Sequence, residues 1–264
     1  MRERLAHVPF RGTIRERSVQ PYLQMFRELR RRPRYKGVLL DISSGGGESI
    51  ASMDLYLAVK RLDQVKPVFA AIGSMAASGA YMAALGARKV FAYPESAVGS
   101  IGVVLPHLAV RELLQRVGVS VELLHAGEHK DAFQGYRPLT DVERSKMQAI
   151  VQEGYEEFVG LVARERERPV EEIRALATGE VWTGRKALEL GLVDALADRE
   201  EALTALSTAT GVPLGKTVRL GPPRPFLDRL INGRGPGLGG GLADRLHDAV
   251  EDAVLDLTGL GLRR

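Results

Sequence analysis

Short apolar runs alternate with amphipathic stretches from the first residues onward, and that rhythm restricts the fold more than any other feature of the chain. LAHV, GVLLDI, PVFAAI and KVFAY read as strands. Helices are predicted near residues 19 to 32, over 49 to 63, from about Ala77 to Ala87 and in VRELLQRV, with a further strand in VSVELLH. Strands taken in turn with helices predict an α/β layer fold whose strands are largely parallel. Ligands of such folds gather at the carboxyl ends of strands, which draws attention to the loops after Ile42, Ile72, Val104 and Leu124.

Beyond Thr140 the pattern lengthens. Met147, Ile150, Val151, Tyr155, Phe158, Val159 and Val162 form one apolar face of a long helix ending near Arg168. Two shorter helices are predicted at PVEEIRALA and GRKALELG, the second closed by Gly191, with VWTG as a buried connector between them. Residues 221 to 241 hold eleven Gly or Pro and read as a linker, after which LADRLHDAVEDAVLDL returns to helical period. The expected division is therefore a body over 1–215, a linker over 216–241 and an amphipathic helix over 242–264.

Composition narrows the class. With 45% hydrophobic and 27% charged residues the chain has the balance of a folded globular protein. It holds no cysteine, which excludes disulfides, thiolate metal sites and a cysteine nucleophile. Residues 1–36 carry eleven Arg or Lys against Glu3, Glu16 and Glu28. Such a run reads first as the polar face of a helix, and no nucleic-acid motif accompanies it; peripheral contact with an anionic membrane is the other expectation. Residues 67–87 are uncharged, but Gly73, Ser74, Ser78 and Gly79 interrupt them, so a buried strand, turn and small-residue helix are expected rather than a membrane span. Neither a secretory signal nor a membrane anchor is expected in the chain as given.

Two glycine-rich turns follow predicted strands. In ISSGGGES the residues Gly45, Gly46 and Gly47 let the backbone approach a ligand and aim N–H groups at an oxyanion or phosphate, though the segment lacks the lysine of a P-loop. In GSMAASGAYM, Ser78 falls at the start of a helix, where an acyl-transfer site places a nucleophile beside its oxyanion donors; close packing of small residues would explain the same letters. A serine needs a base. His7, His107, His125, His129 and His247 are available, His129 standing next to Asp131, and Lys130 follows a predicted strand and turn. Ser–Lys pairs are a known variant of the serine triad, provided the lysine is desolvated.

These segments together resemble the signal peptide peptidase A family from Val8 to about Ala202. VLLDISSGGGESIAS is similar to that family's first glycine loop, GSMAASGAYMA to its nucleophile signature, VGSIGVV to the next strand, GEHKDAFQGYRPLTDVER to the segment bearing its lysine, and EVWTGRKALELGLVD to its C-terminal landmark. The resemblance implies a ClpP/crotonase-like α/β fold of repeated ββα units with a C-terminal helical extension. It also implies a serine endopeptidase with Ser78 as nucleophile, Lys130 as base and Ser100 as the hydroxyl that holds the lysine. It further implies that Gly79, Gly47 and Gly46 supply the oxyanion hole. Neither metal nor cofactor is implied. A ring or dome of subunits is implied, Ser and Lys of each site coming from neighbours, with remnant signal peptides or other short or unfolded apolar peptides as substrates.

Several positions depart from the family pattern: Gly45 stands for proline, Glu48 follows Gly47, Ser74 replaces Asp, Ala80 replaces Gly and Met82 replaces Tyr. Three other readings compete. A Clp-type Ser-His-Asp site would need a histidine in VGSIGVVL, where there is none. A crotonase-like acyl-CoA enzyme leaves Ser78, Ser100 and Lys130 unexplained, and a non-catalytic scaffold leaves the dyad without purpose.

Overall fold

In a computed structural model, which describes residues 3–221, the predicted rhythm becomes one eight-stranded sheet with helices on both faces. The central strands are β1 (Arg4–Arg11), β2 (Tyr35–Ser44) and β3 (Val68–Ala77), joined by α1 (Glu16–Arg31) and α2 (Ser49–Asp63). All three run parallel, with Val8 opposite Leu40 and Leu40 opposite Ala70. Parallel strands need long crossovers and bury both faces, which is why they read as continuous apolar runs. Residue parity decides the face. Val8, Leu40, Ala70 and their even-numbered neighbours pack under α1 and α2, whereas Leu5, Leu39, Phe69 and Ala71 pack under α8 (Arg199–Thr210) on the other side.

β3 is longer than PVFAAI suggested, and its extra length builds the site. Its first half pairs with β4 (Lys89–Ala92); after a register shift its second half, Met75–Ala77, pairs with β5 (Ala97–Gly99). This second ladder keeps Ala77 in the strand, so α3 is only Gly79–Ala84 and Ser78 is its N-cap rather than a residue of its first turn. Tyr81, wholly buried, donates its hydroxyl to the Leu192 carbonyl at 2.7 Å, and burial pushes its pKa up. That bond anchors α3.

The remaining elements frame this core. They are α4 (Arg111–Arg116), α5 (Asp141–Glu165), α6 (Val170–Leu176), β6 (Val181–Thr183), α7 (Gly184–Glu189), β7 (Ala195–Leu196) and β8 (Thr217–Arg219). Thr140 caps α5 through a capping box with Glu143. α5 is tied to α2 where the Glu165 carboxylate takes the Tyr56 hydroxyl at 2.6 Å and the Lys60 ammonium; burial and that carboxylate push the Tyr56 pKa up to about 12.

Three expectations are corrected. VSVELLH forms no strand, because no ladder partner reaches it among the described residues and Val119, Val121 and Leu124 face solvent. VWTG is not a buried connector: Val181–Thr183 form the antiparallel edge strand β6, with Val181 exposed. The sheet also continues past position 215, because Thr217–Arg219 pair with Leu5–His7. The Gly/Pro-rich stretch from 222 and the C-terminal helix lie outside the described residues.

Candidate active site

A cavity of about 510 Å³ opens at the carboxyl ends of β2, β3 and β5. Ser78, Gly79, Gly47 and Ser100 line it together, joined by Met82, Val103, Val104, Tyr155, Phe158 and Thr178. Among the described residues no histidine lines it.

Both serines are held in backbone conformations that L-residues avoid. Ser78 has φ 52° and ψ −126°, and Ser100 has φ 51°. Single non-glycine residues of this kind persist only where surrounding structure over-determines them, at a cost of about 1–3 kcal/mol each. Here the fixing bonds are visible. The Ser78 N–H donates to the Gly99 carbonyl at 2.8 Å, and the Ser100 N–H donates to the Glu180 carbonyl at 2.6 Å. The chain of bonds thus links the end of β3, the end of β5 and the turn before β6. Neither serine hydroxyl is bonded to a described residue.

The first glycine loop packs against the Ser78 turn. A Cβ on Gly47 would lie 2.0 Å from the Ile14 carbonyl oxygen, and one on Gly79 would lie 1.9 Å from Ser52 Oγ, so only glycine fits either place. Ile14 bridges Gly47 by donating to the Gly46 carbonyl and accepting from the Glu48 N–H. This pattern leaves the Gly47 N–H without a protein acceptor, and the Gly79 N–H, first in α3, has none either among the described residues. Gly46 differs. Its N–H donates to Ser44 Oγ at 3.1 Å and it does not line the cavity, so it shapes the turn instead of facing a ligand.

Lys130 is elsewhere. It is exposed, follows the turn at Gly127, and is not a lining residue of this chain's cavity. Its neighbours are firmly held: Asp131 and Glu143 both grip Arg137, and this guanidinium holds both carboxyl pKa values below the usual range. His129 therefore has no bond to Asp131; its ring sits against Lys146 and 3.9 Å from Glu143. A His–Asp pair that spacing did not reveal does exist, His7 to Asp41 at 3.0 Å, but Arg11 and Arg199 share that carboxylate and none of the four lines the cavity. His107 is bonded to the Arg137 carbonyl and His125 to that of Gly127. His247 lies outside the described residues.

The pattern of peptidase family S49 matches residues 60–213, more than half of the chain and all of the Ser78 and Ser100 turns. The chain belongs to peptidase family S49. A Synechocystis sp. relative provisionally named a protease is 32% identical over 234 residues, covering 88% of this chain and 84% of its own length. The Arabidopsis thaliana chloroplastic serine protease SPPA is 31% identical over 75% of this chain, and Protease 4 of Salmonella typhi is 35% identical over 67%. This family S49 chain spans only 29% of the length of each of those two. A mutant ClpP1 from Listeria monocytogenes shares the fold, with a TM-score of 0.51 and 14% identity over 74% of this chain and 93% of its own. Membership makes the S49 chain a serine-type peptidase of ClpP-like fold. No described helix is long and apolar enough to cross a membrane.

Sequence reasoning missed the far wall of the cavity. Tyr155 and Phe158 belong to the apolar face of α5 and read as core; periodicity shows which face is apolar but not that part of it borders a cleft.

Proposed function

We propose that this S49 chain is an endopeptidase in which Ser78 attacks the scissile carbonyl and Lys130 of a neighbouring subunit serves as base. The observation that carries the reading is that, among the described residues, one cavity holds a pair of unbonded serine hydroxyls at positive φ beside two unbonded glycine N–H groups and no histidine. As Ser78 Oγ bonds to the carbonyl carbon, its proton passes to the neutral lysine amine. The carbonyl electrons move onto the oxygen, where the Gly47 and Gly79 N–H groups receive the charge. Collapse of the tetrahedral species expels the amine with that proton, and water then releases the acyl group by the same steps. The Ser100 hydroxyl accepts from the lysine and fixes its direction.

A lysine acts as a base only when desolvated, and lowering its pKa by about three units costs roughly 4 kcal/mol. The exposed Lys130 of a single chain has no such cover. Leu105, Leu108, Leu113, Val117 and Leu124, all exposed in the same segment, leave apolar area of the kind that subunits bury against one another. The walls Met82, Val103, Val104, Tyr155 and Phe158 suit extended apolar segments, such as remnant signal peptides or other unfolded peptides.

A fluorophosphonate probe followed by peptide mapping tests the assignment. Labelling is expected on Ser78 alone and absent from Ser78→Ala; label on another serine, or none on folded, assembled protein, overturns it. An acyl-CoA enzyme or a non-catalytic scaffold would give no labelled serine.

A further inference from the structure

The loop that carries Lys130 has no helix or strand of its own, and among residues 126–137 only Ala132 is buried. A segment with so little apolar contact opens easily unless something else ties it down. One side chain does so. Arg137 donates Nε and Nη2 to the two oxygens of Asp131, both at 2.9 Å, and Nη1 and Nη2 to the two oxygens of Glu143 at 2.8 and 2.7 Å. A planar guanidinium thus makes two bidentate forks at once, the geometry that a lysine ammonium cannot reproduce.

The two ends of this clamp differ in kind. Glu143 is buried in the first turn of α5, where it also takes the Thr140 N–H at 2.8 Å and hydroxyl at 2.9 Å. It is a fixed point. Asp131 is the residue directly after Lys130, on the irregular loop. The other titratable groups nearby are His107, His125, Glu128, His129 and Lys146, with His129 resting between Lys146 and Glu143. Further along α5, Gly154, Tyr155 and Phe158 line the chain's own cavity, so the loop is referenced to a helix that frames a substrate site.

We propose that Arg137 is a positioning residue, its double fork holding the Lys130 loop on the start of α5 so that the amine is presented at a fixed place. The proposal rests on the reading of Lys130 as base. Arg137 does not line the cavity of its own chain; it acts through the main chain at Asp131. A base displaced by about an ångström loses on the order of a hundredfold in rate, while substrate binding is little affected.

The test is steady-state kinetics of Arg137→Ala, Arg137→Lys and Asp131→Asn against a peptide substrate, with melting temperature and assembly state recorded for each. For Arg137→Ala the expected result is a kcat lowered about a hundredfold with KM held within about twofold. The acid limb of its pH profile should move to higher pH as the loosened amine becomes better solvated, and millimolar guanidinium ion should restore part of the lost rate. Arg137→Lys should fall between it and the wild type. Arg137→Ala that assembles normally and keeps wild-type kcat and acid limb overturns the proposal. If that variant does not fold, Asp131→Asn decides, since it opens no cavity and weakens only the fork beside Lys130: a kcat lowered about tenfold supports the clamp and an unchanged kcat sinks it. Lys130→Ala separates the two readings. An active Lys130→Ala with Ser78 still labelled removes the base assignment and the clamp with it, whereas a dead Lys130→Ala beside fully active Arg137 and Asp131 variants removes the clamp alone.

Discussion

Residues 68–101 and 102–136 follow one another in the chain and treat most of their large apolar side chains in opposite ways. In the first stretch Val68, Ile72, Ala80, Tyr81, Val90 and Val98 are buried, and the backbone around them is rigid enough to hold Ser78 and Ser100 at positive φ. In the second, Val104 is 86% exposed and Leu124 91%, with Leu108 and Leu113 also facing solvent. The nucleophile half of the proposed site is thus completed by folding of one chain, because the core enforces the strained turn. The base half of the proposed site lies on an exposed surface, and in the proposal it is assembly that completes it.

The largest expected effect attacks both halves at once. Ser78→Ala and Lys130→Ala should each lower kcat/KM by on the order of a thousandfold or more, with folded and assembled protein in both cases. Mixed under conditions where subunits exchange, the two dead proteins should regain a fraction of wild-type activity, since some interfaces would join an intact serine to an intact lysine. A mixture that exchanges and stays inactive would show that the dyad lies within one chain.

Stability should separate the halves next. Gly47→Ala forces a Cβ to within 2.0 Å of the Ile14 carbonyl at a residue with φ 154°, so the turn must shift or the chain must lose about 2–4 kcal/mol. Lys130→Ala touches no packed group and should stay within about 0.5 kcal/mol of wild type. Urea midpoints of the two variants compare them directly; equal losses would erase the contrast between a folded half and an assembled half.

What could be read from the sequence divides along the same line. β1 to β4 were legible because strands buried on both faces leave unbroken apolar runs, and the Ser78 turn because its small residues stand in a recognisable order. VSVELLH was misread because alternation signals a strand only where a ladder exists, and among the described residues none reaches it. The Asp131–Arg137–Glu143 clamp was invisible for a related reason: its two forks each span six residues, partly across irregular loop, and no period marks such a spacing.

The buried face under α8 offers a check by pH. Asp41 is 2% exposed, and burial alone would raise its pKa, but hydrogen bonds from His7 and Arg11 and the charges of Arg11 and Arg199 outweigh that and hold it below the usual carboxylate range. A depressed pKa contributes stability that is full above the unfolded value of about 3.9 and is lost as pH falls through the folded one. Asp41→Asn should therefore cost about 2 kcal/mol at pH 7 and progressively less below about pH 4. Denaturation of both proteins across that window measures it. A gap that stays constant down to pH 3 would mean that packing, not charge, makes the difference.

The smallest effect is the most discriminating. Leu108→Ser combined with Leu124→Ser removes two leucines that face solvent in the single chain, 76% and 91% exposed. If one chain were the whole structure, exchanging exposed leucines for serines would change folding stability by no more than about 0.5 kcal/mol, and activity not at all. If these leucines are covered by a neighbouring subunit, the same pair withdraws apolar area from the contact worth about 25 cal/mol per Å² and shifts the assembly toward smaller species. Intrinsic stability should then still change little, because neither leucine belongs to the core that holds Ser78. Sedimentation at several protein concentrations, run beside the peptidase assay, reads both quantities. Activity should fall with the fraction of assembled protein and return as concentration rises. Activity that is the same in monomer and assembly would place Lys130 within reach of its own serine, and the two halves would then be products of a single fold.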